Sequence, residues 1–117
     1  MKIFSAILVY TLVSPYASAA FTETERYQLQ EINEKYIRKA EASKILLDKK
    51  VQETIQNLPE QKNKIVNLKK SWDKTIEKKC HLFIFESINT DAEIARENDC
   101  LANEYLSEMD FFERLNK

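Results

Sequence analysis

Glycine is absent from this chain altogether. Without it no loop can wrap a phosphate in closely spaced backbone N–H groups, and the tight turns of β-hairpins lose their preferred residue. Cysteine occurs twice and histidine once, too few for a closed zinc shell of four such ligands. Proline occurs twice, at Pro15 and Pro59, so one break interrupts everything beyond residue 20. Charge of a single sign is lacking too. The 18 basic and 19 acidic residues leave a formal net charge of −1, which gives nucleic acid no electrostatic footprint. No apolar run reaches the roughly 20 residues that a bilayer span requires. These absences favour long helices and speak against phosphate-loop chemistry, a zinc centre, nucleic-acid binding and a membrane span. No cofactor is expected.

The longest apolar run opens the chain. MKIFSAILVYTLVSPYASAA starts with Lys2, is apolar from Ile3 to Val13 and closes on Ala17-Ser18-Ala19. A basic start, an apolar stretch of about ten residues and an A-x-A site are the parts of a secretory signal peptide. Residues 1–19 are therefore expected to be removed on Sec-type export. Residues 20–117 remain as a single small helical domain in the periplasm or the medium. Export bears on the cysteines as well. An even pair in an oxidising compartment is expected to form a disulfide, here Cys80 with Cys100.

Beyond Thr22 the pattern is helical. Thr22 or Thr24 can cap a first helix, with Glu23 and Glu25 in its first turn. Leu29, Ile32, Tyr36, Ala40, Ser43, Leu47, Val51, Ile55 and Leu58 recur in steps of three and four, one stripe along a helix of about ten turns. Pro59 ends it, because the residue before a proline avoids the helical region, and can itself begin the next helix. The second helix carries Ile65, Leu68, Trp72, Ile76, Cys80 and Phe83 and is expected to end near Glu86 to Asn89. Asn89 or Thr90 then caps a third, which carries Ile94, Leu101, Tyr105, Met109, Phe112 and Leu115. The expected architecture is all-α: three helices, the first longest, the second and third an antiparallel hairpin stapled by the disulfide. Tyr36 and Trp72 belong to the core, with Trp72 filling the interior beside the staple.

Catalytic constellations are missing. His81 has no free nucleophile and no second histidine to work with, so it reads as a surface or edge residue. Carboxylate pairs such as Asp91 with Glu93, or Glu97 with Asp99, arise readily among nineteen acids and suit a solvated helix face. The chain is expected not to be an enzyme. Two features point outward instead. Phe83-Ile84-Phe85 and Phe111-Phe112 are consecutive, and neighbours on a helix lie about 100° apart. Phe85 or Phe111 is thus expected to be partly exposed, either at the edge of a wide core face or as a contact patch. Charge is also segregated. Residues 35–79 hold thirteen bases against six acids, a net of +7, and residues 86–114 nine acids against two arginines, a net of −7. Either the second and third helices complement each other, or the third presents an acidic face to a cationic protein.

Trp72, eight residues before Cys80, then Cys100 twenty residues on and followed by Leu101 and Ala102, resembles the "W-x7-C … C-L" signature of the LprI-type lysozyme inhibitor N-terminal domain family. Ile32-Asn33-Glu34-Lys35-Tyr36 is similar to that family's "L-N-x-x-Y", and Leu68 to Trp72 to its approach to the tryptophan. The chain departs from the pattern in having Ile76-Glu77 where an Arg-Asp pair is common. It has no glycine pair between the cysteines, and Glu108 stands where an arginine is usual. The resemblance implies a small exported helical protein and, as an activity, inhibition of lysozyme. The expected partner is accordingly a protein, a lysozyme or another cationic cell-wall hydrolase. Glu93, Glu97, Glu104 and Glu108 on the third helix are the candidate contacts. Two other roles fit the same chain: immunity against a toxin delivered to the periplasm, and an envelope structural or assembly factor whose exposed aromatics join a homo-oligomer.

Overall fold

The computed structural model describes residues 22–116, and their regular structure is entirely helical. The expected signal peptide lies outside the described residues. Helix α1 covers Glu23–Asn57, α2 Lys62–Phe83 and α3 Glu93–Leu115, with single 3-10 turns at Pro59–Gln61 and Phe85–Ser87. This is the expected three-helix order with the longest helix first. Among the described residues no helix is long and apolar enough to cross a membrane.

The chain divides into two compact units, Met1–Gln30 and Glu31–Lys117. In the first, the described residues are the beginning of α1. Thr22 is the cap: its Oγ1 accepts a hydrogen bond from the Glu25 N–H at 3.1 Å. Glu23 and Glu25 then lie where negative charge offsets the free N–H groups of the first turn. The side chains from Thr22 to Gln28 are exposed.

In the second unit the pairing of side chains fixes the directions. Cys80 meets Cys100, while Trp72 meets Phe111 and Phe112, so α2 and α3 run antiparallel. Helix α1 pairs Asp48 with Lys69 of α2 and Lys39 with Asp99 of α3. It is therefore antiparallel to α2 and parallel to α3. The centre of the core is Leu47 and Val51 from α1, Ile65 from α2 and Phe112 from α3, with Ile55, Leu58, Tyr105, Met109 and Phe111 packed around them. Each such large side chain removed from water contributes about 1.5–3 kcal/mol. Ile76, Cys80, Ile84 and Ala102 continue the buried layer towards the α2–α3 turn.

The expected stripes give way at five places, where Ile32, Leu68, Phe83, Ile94 and Leu115 are exposed. Next to Leu68 and Phe83, Lys69 is half-buried and Ile84 is buried. Each pair lies three and four residues after an inward anchor, Ile65 or Cys80, where either position can turn towards the core. The fourth position wins both times. Lys69 can occupy it because its aliphatic stem covers apolar surface while its ammonium is held by Asp48 and Asp73. Trp72 lies about two turns before Cys80 on α2 and packs edge-on to Phe111 with ring centroids 5.4 Å apart.

The ends of the helices are held by specific hydrogen bonds. The buried Thr54 accepts from Asn116 Nδ2 at 2.8 Å, and the same nitrogen donates to the Phe112 carbonyl at 3.0 Å. Asn57 Nδ2 donates to Asn116 Oδ1 at 3.0 Å, which ties the end of α3 to the end of α1. Neither Asn89 nor Thr90 caps α3 from its side chain, since the helix begins after Ala92 with no side-chain cap. Asn89 instead takes the left-handed conformation, φ 65°. That conformation suits glycine best and asparagine next; in a chain without glycine, asparagine fills it. Thr90 braces the turn by donating to the Ser87 carbonyl at 2.6 Å and accepting from the Ala92 N–H at 3.3 Å.

Candidate interaction surface

The disulfide joins α2 and α3 with Cα atoms 5.7 Å apart, inside the range such bonds span without moving the backbone. Around it the two helices exchange charge. Lys79 is paired with Glu104, and His81 Nε2 lies 3.4 Å from Glu97 Oε1. Lys39 of α1 donates to Asp99 Oδ1 at 2.8 Å, and this hydrogen bond raises the lysine's pKa. Two bases of the basic segment, Lys39 and Lys79, are thus matched by acids of the acidic one. His81 is exposed at the edge of this ion-pair row.

The four glutamates singled out on α3 consequently differ in what they do. Glu97 and Glu104 are half-buried and occupied by His81 and Lys79. Glu93 accepts a hydrogen bond from the Asn89 N–H at 3.4 Å. Glu108 corrects the expectation: it is fully buried, at 0% exposure, so it touches no partner. The inward face of α3 runs Leu101, Tyr105, Glu108, Phe112 in steps of four, three and four, and Glu108 occupies a core position despite its charge. That phase is the signal in the sequence that marks it.

An acid so placed must lose its charge or find a cation. Burial pushes the Glu108 carboxyl up to about 8, helped by the charge of Asp73 and a hydrogen bond with it, with Lys69 opposing. Glu108 is therefore protonated at neutral pH. This accounts for two of three otherwise unmatched oxygens, since both Oε atoms of Glu108 and Oδ1 of Asp73 are buried without a partner. A proton on Glu108 donated to Asp73 supplies the missing bond. The other Asp73 oxygen, Oδ2, accepts from Lys69 Nζ at 2.7 Å, and Lys69 lies 3.3 Å from Asp48. Burial alone would lower the Lys69 pKa, but its bonds to Asp73 and Asp48 outweigh this and raise it. The chain Glu108–Asp73–Lys69–Asp48 thus links all three helices through one carboxylic acid, two carboxylates and one ammonium. Tyr105, alongside, is raised chiefly by burial. Asp73 and Tyr105 also line a cleft of about 460 Å³ between Lys44 and Lys74, which gives solvent protons a route to the pair.

At the opposite end of the hairpin the surface is apolar. Leu82 and Phe83 close α2, Phe85 lies in the 3-10 turn and Ile88 follows it. All four are exposed, Phe83 and Phe85 by 63% and 64%. Ile84, between them, is buried and anchors the turn. The expectation of a partly exposed Phe85 or Phe111 is thus met by Phe85; Phe83, expected on the core face, is exposed as well, and Phe111 is half-buried against Trp72. Arg96 holds Phe83 in place, its guanidinium 5.4 Å from the ring centroid and donating to Ser87 Oγ at 2.9 Å.

Comparison with known protein families, curated proteins and solved structures finds no match to this chain.

Proposed function

We propose that this chain is an exported, non-enzymatic protein-binding module that blocks a lysozyme or a related cationic cell-wall hydrolase. The observation that carries the reading is the apolar end of the hairpin: four large side chains left in water on a turn that begins directly after the disulfide-bonded Cys80. Large apolar side chains grouped in water mark contact sites more often than they mark chance. The spacing of Trp72, Cys80 and Cys100, with its likeness to lysozyme inhibitors of the LprI type, supplies the class of partner. The mechanism is occlusion. A surface ordered before binding loses less conformational freedom on docking, and the staple together with the Asn116 and Thr54 bonds provides that order.

The test is capture of c-, g- and i-type lysozymes by the oxidised chain immobilised on a support. Retention of at least one of them, reversed at high salt, is the expected result. Failure to retain any would remove the reading.

A further inference from the structure

The apolar end of the hairpin has a charge pattern that selects its occupant. Between Leu82 and Arg96 the chain carries three acids, Glu86, Asp91 and Glu93, and one base, Arg96. Arg96 is committed to Ser87 and to the face of Phe83. Glu86 and Asp91 are exposed and make no hydrogen bond or ion pair with the described residues. Exposed apolar side chains and two unpaired acids therefore share the turn that closes the α2–α3 hairpin.

We infer that Leu82, Phe83, Phe85 and Ile88 are a docking tip for a protein surface with an apolar depression ringed by lysine or arginine. This rests on the binding-module reading and adds to it the residues and the chemistry of the partner. Three occupants compete for such a tip. A second copy docked tip to tip across a two-fold axis would set the same acids against each other, and like charges held together at a contact oppose association. An anionic membrane surface would repel Glu86 and Asp91 in the same way. A cationic protein is attracted by them, and that attraction speeds the encounter. Aromatic side chains at the centre of a contact then supply most of the affinity. Arg96 contributes without touching the partner: by holding Phe83 against α3 it limits the rotamers that docking must freeze.

The tip can be altered without disturbing the fold, because Phe83 and Phe85 are mostly in water already. The experiment compares the full oxidised chain with its Phe83→Ser/Phe85→Ser variant and with Glu86→Lys/Asp91→Lys, each first shown by circular dichroism to retain its helices. The probes are c-, g- and i-type lysozymes and, as basic proteins without muramidase activity, cytochrome c and ribonuclease A. The expected result is binding to a lysozyme that weakens at least about tenfold in the phenylalanine variant. Charge reversal should slow association and flatten its dependence on salt. Lysozyme binding left within twofold by the phenylalanine variant would overturn the tip and leave the hydrolase reading standing. Binding only to the non-muramidase proteins, lost in that variant, would support the tip and overturn the hydrolase reading. Binding to none of the five would overturn both.

Discussion

Replacing Glu108 by glutamine should stabilise the protein at neutral pH, against the usual rule that changes to buried residues weaken a fold. The reasoning follows one proton. In the unfolded chain Glu108 ionises near its ordinary value of 4.5, whereas in the fold it holds its proton up to about 8. Between those two values the folded state binds more protons than the unfolded state, so stability falls as pH rises. The contribution is complete below the unfolded value and has been lost by the time pH passes the folded one. At pH 7 the loss amounts to about 3 kcal/mol, each unit of displacement counting for about 1.4 kcal/mol. Against a total stability of about 5–15 kcal/mol this is a large fraction. Glutamine has the same shape, cannot ionise, and can still donate an N–H to the unmatched Asp73 Oδ1. The variant and the original chain should therefore be equal near pH 4. By pH 7 the variant should lead by about 3 kcal/mol, a melting-temperature gain of more than about 10 °C. The difference should stop growing above about pH 8. The assay is urea unfolding of both oxidised proteins from pH 4 to 9, followed by helical circular dichroism. Taking the difference between the two curves cancels what the two proteins share. A difference that stays flat across this range would refute the proton held between Glu108 and Asp73.

Other expectations follow from the same contacts. Reducing the disulfide, or replacing both Cys80 and Cys100 by alanine, frees a loop spanning 20 residues and should cost about 3 kcal/mol in denaturant unfolding. Thr54→Val keeps the shape of a fully buried side chain but removes the acceptor for Asn116. It should cost about 1 kcal/mol and speed amide exchange in the last turn of α3. Lys79→Ala removes a partly exposed partner of Glu104, and the change in stability should stay below about 1 kcal/mol.

The helices were legible because their signals are local. The Thr22 cap, the stop before Pro59 and much of the three stripes need only neighbouring residues, and the pairing of Cys80 with Cys100 was the one available to two cysteines. What was hidden depended on rotation about the helix axis. Leu68 against Lys69, and Phe83 against Ile84, differ by one position, and tertiary packing chose between them. The same effect hid Glu108. Its charge placed it on a solvent face, yet its phase between Tyr105 and Phe112 placed it inside, where a proton and Asp73 make it tolerable. The segregation of charge was visible, and Lys79–Glu104 is a complementary pair of the second and third helices that it allowed; the Lys39–Asp99 pair from the first helix was not visible.

The most direct test of the account is to titrate the lytic rate of whichever lysozyme is captured with the oxidised protein, at enzyme concentrations well above the dissociation constant. Occlusion by a preformed surface predicts a linear fall in rate that ends at one equivalent. A rate unchanged by a tenfold excess would contradict it.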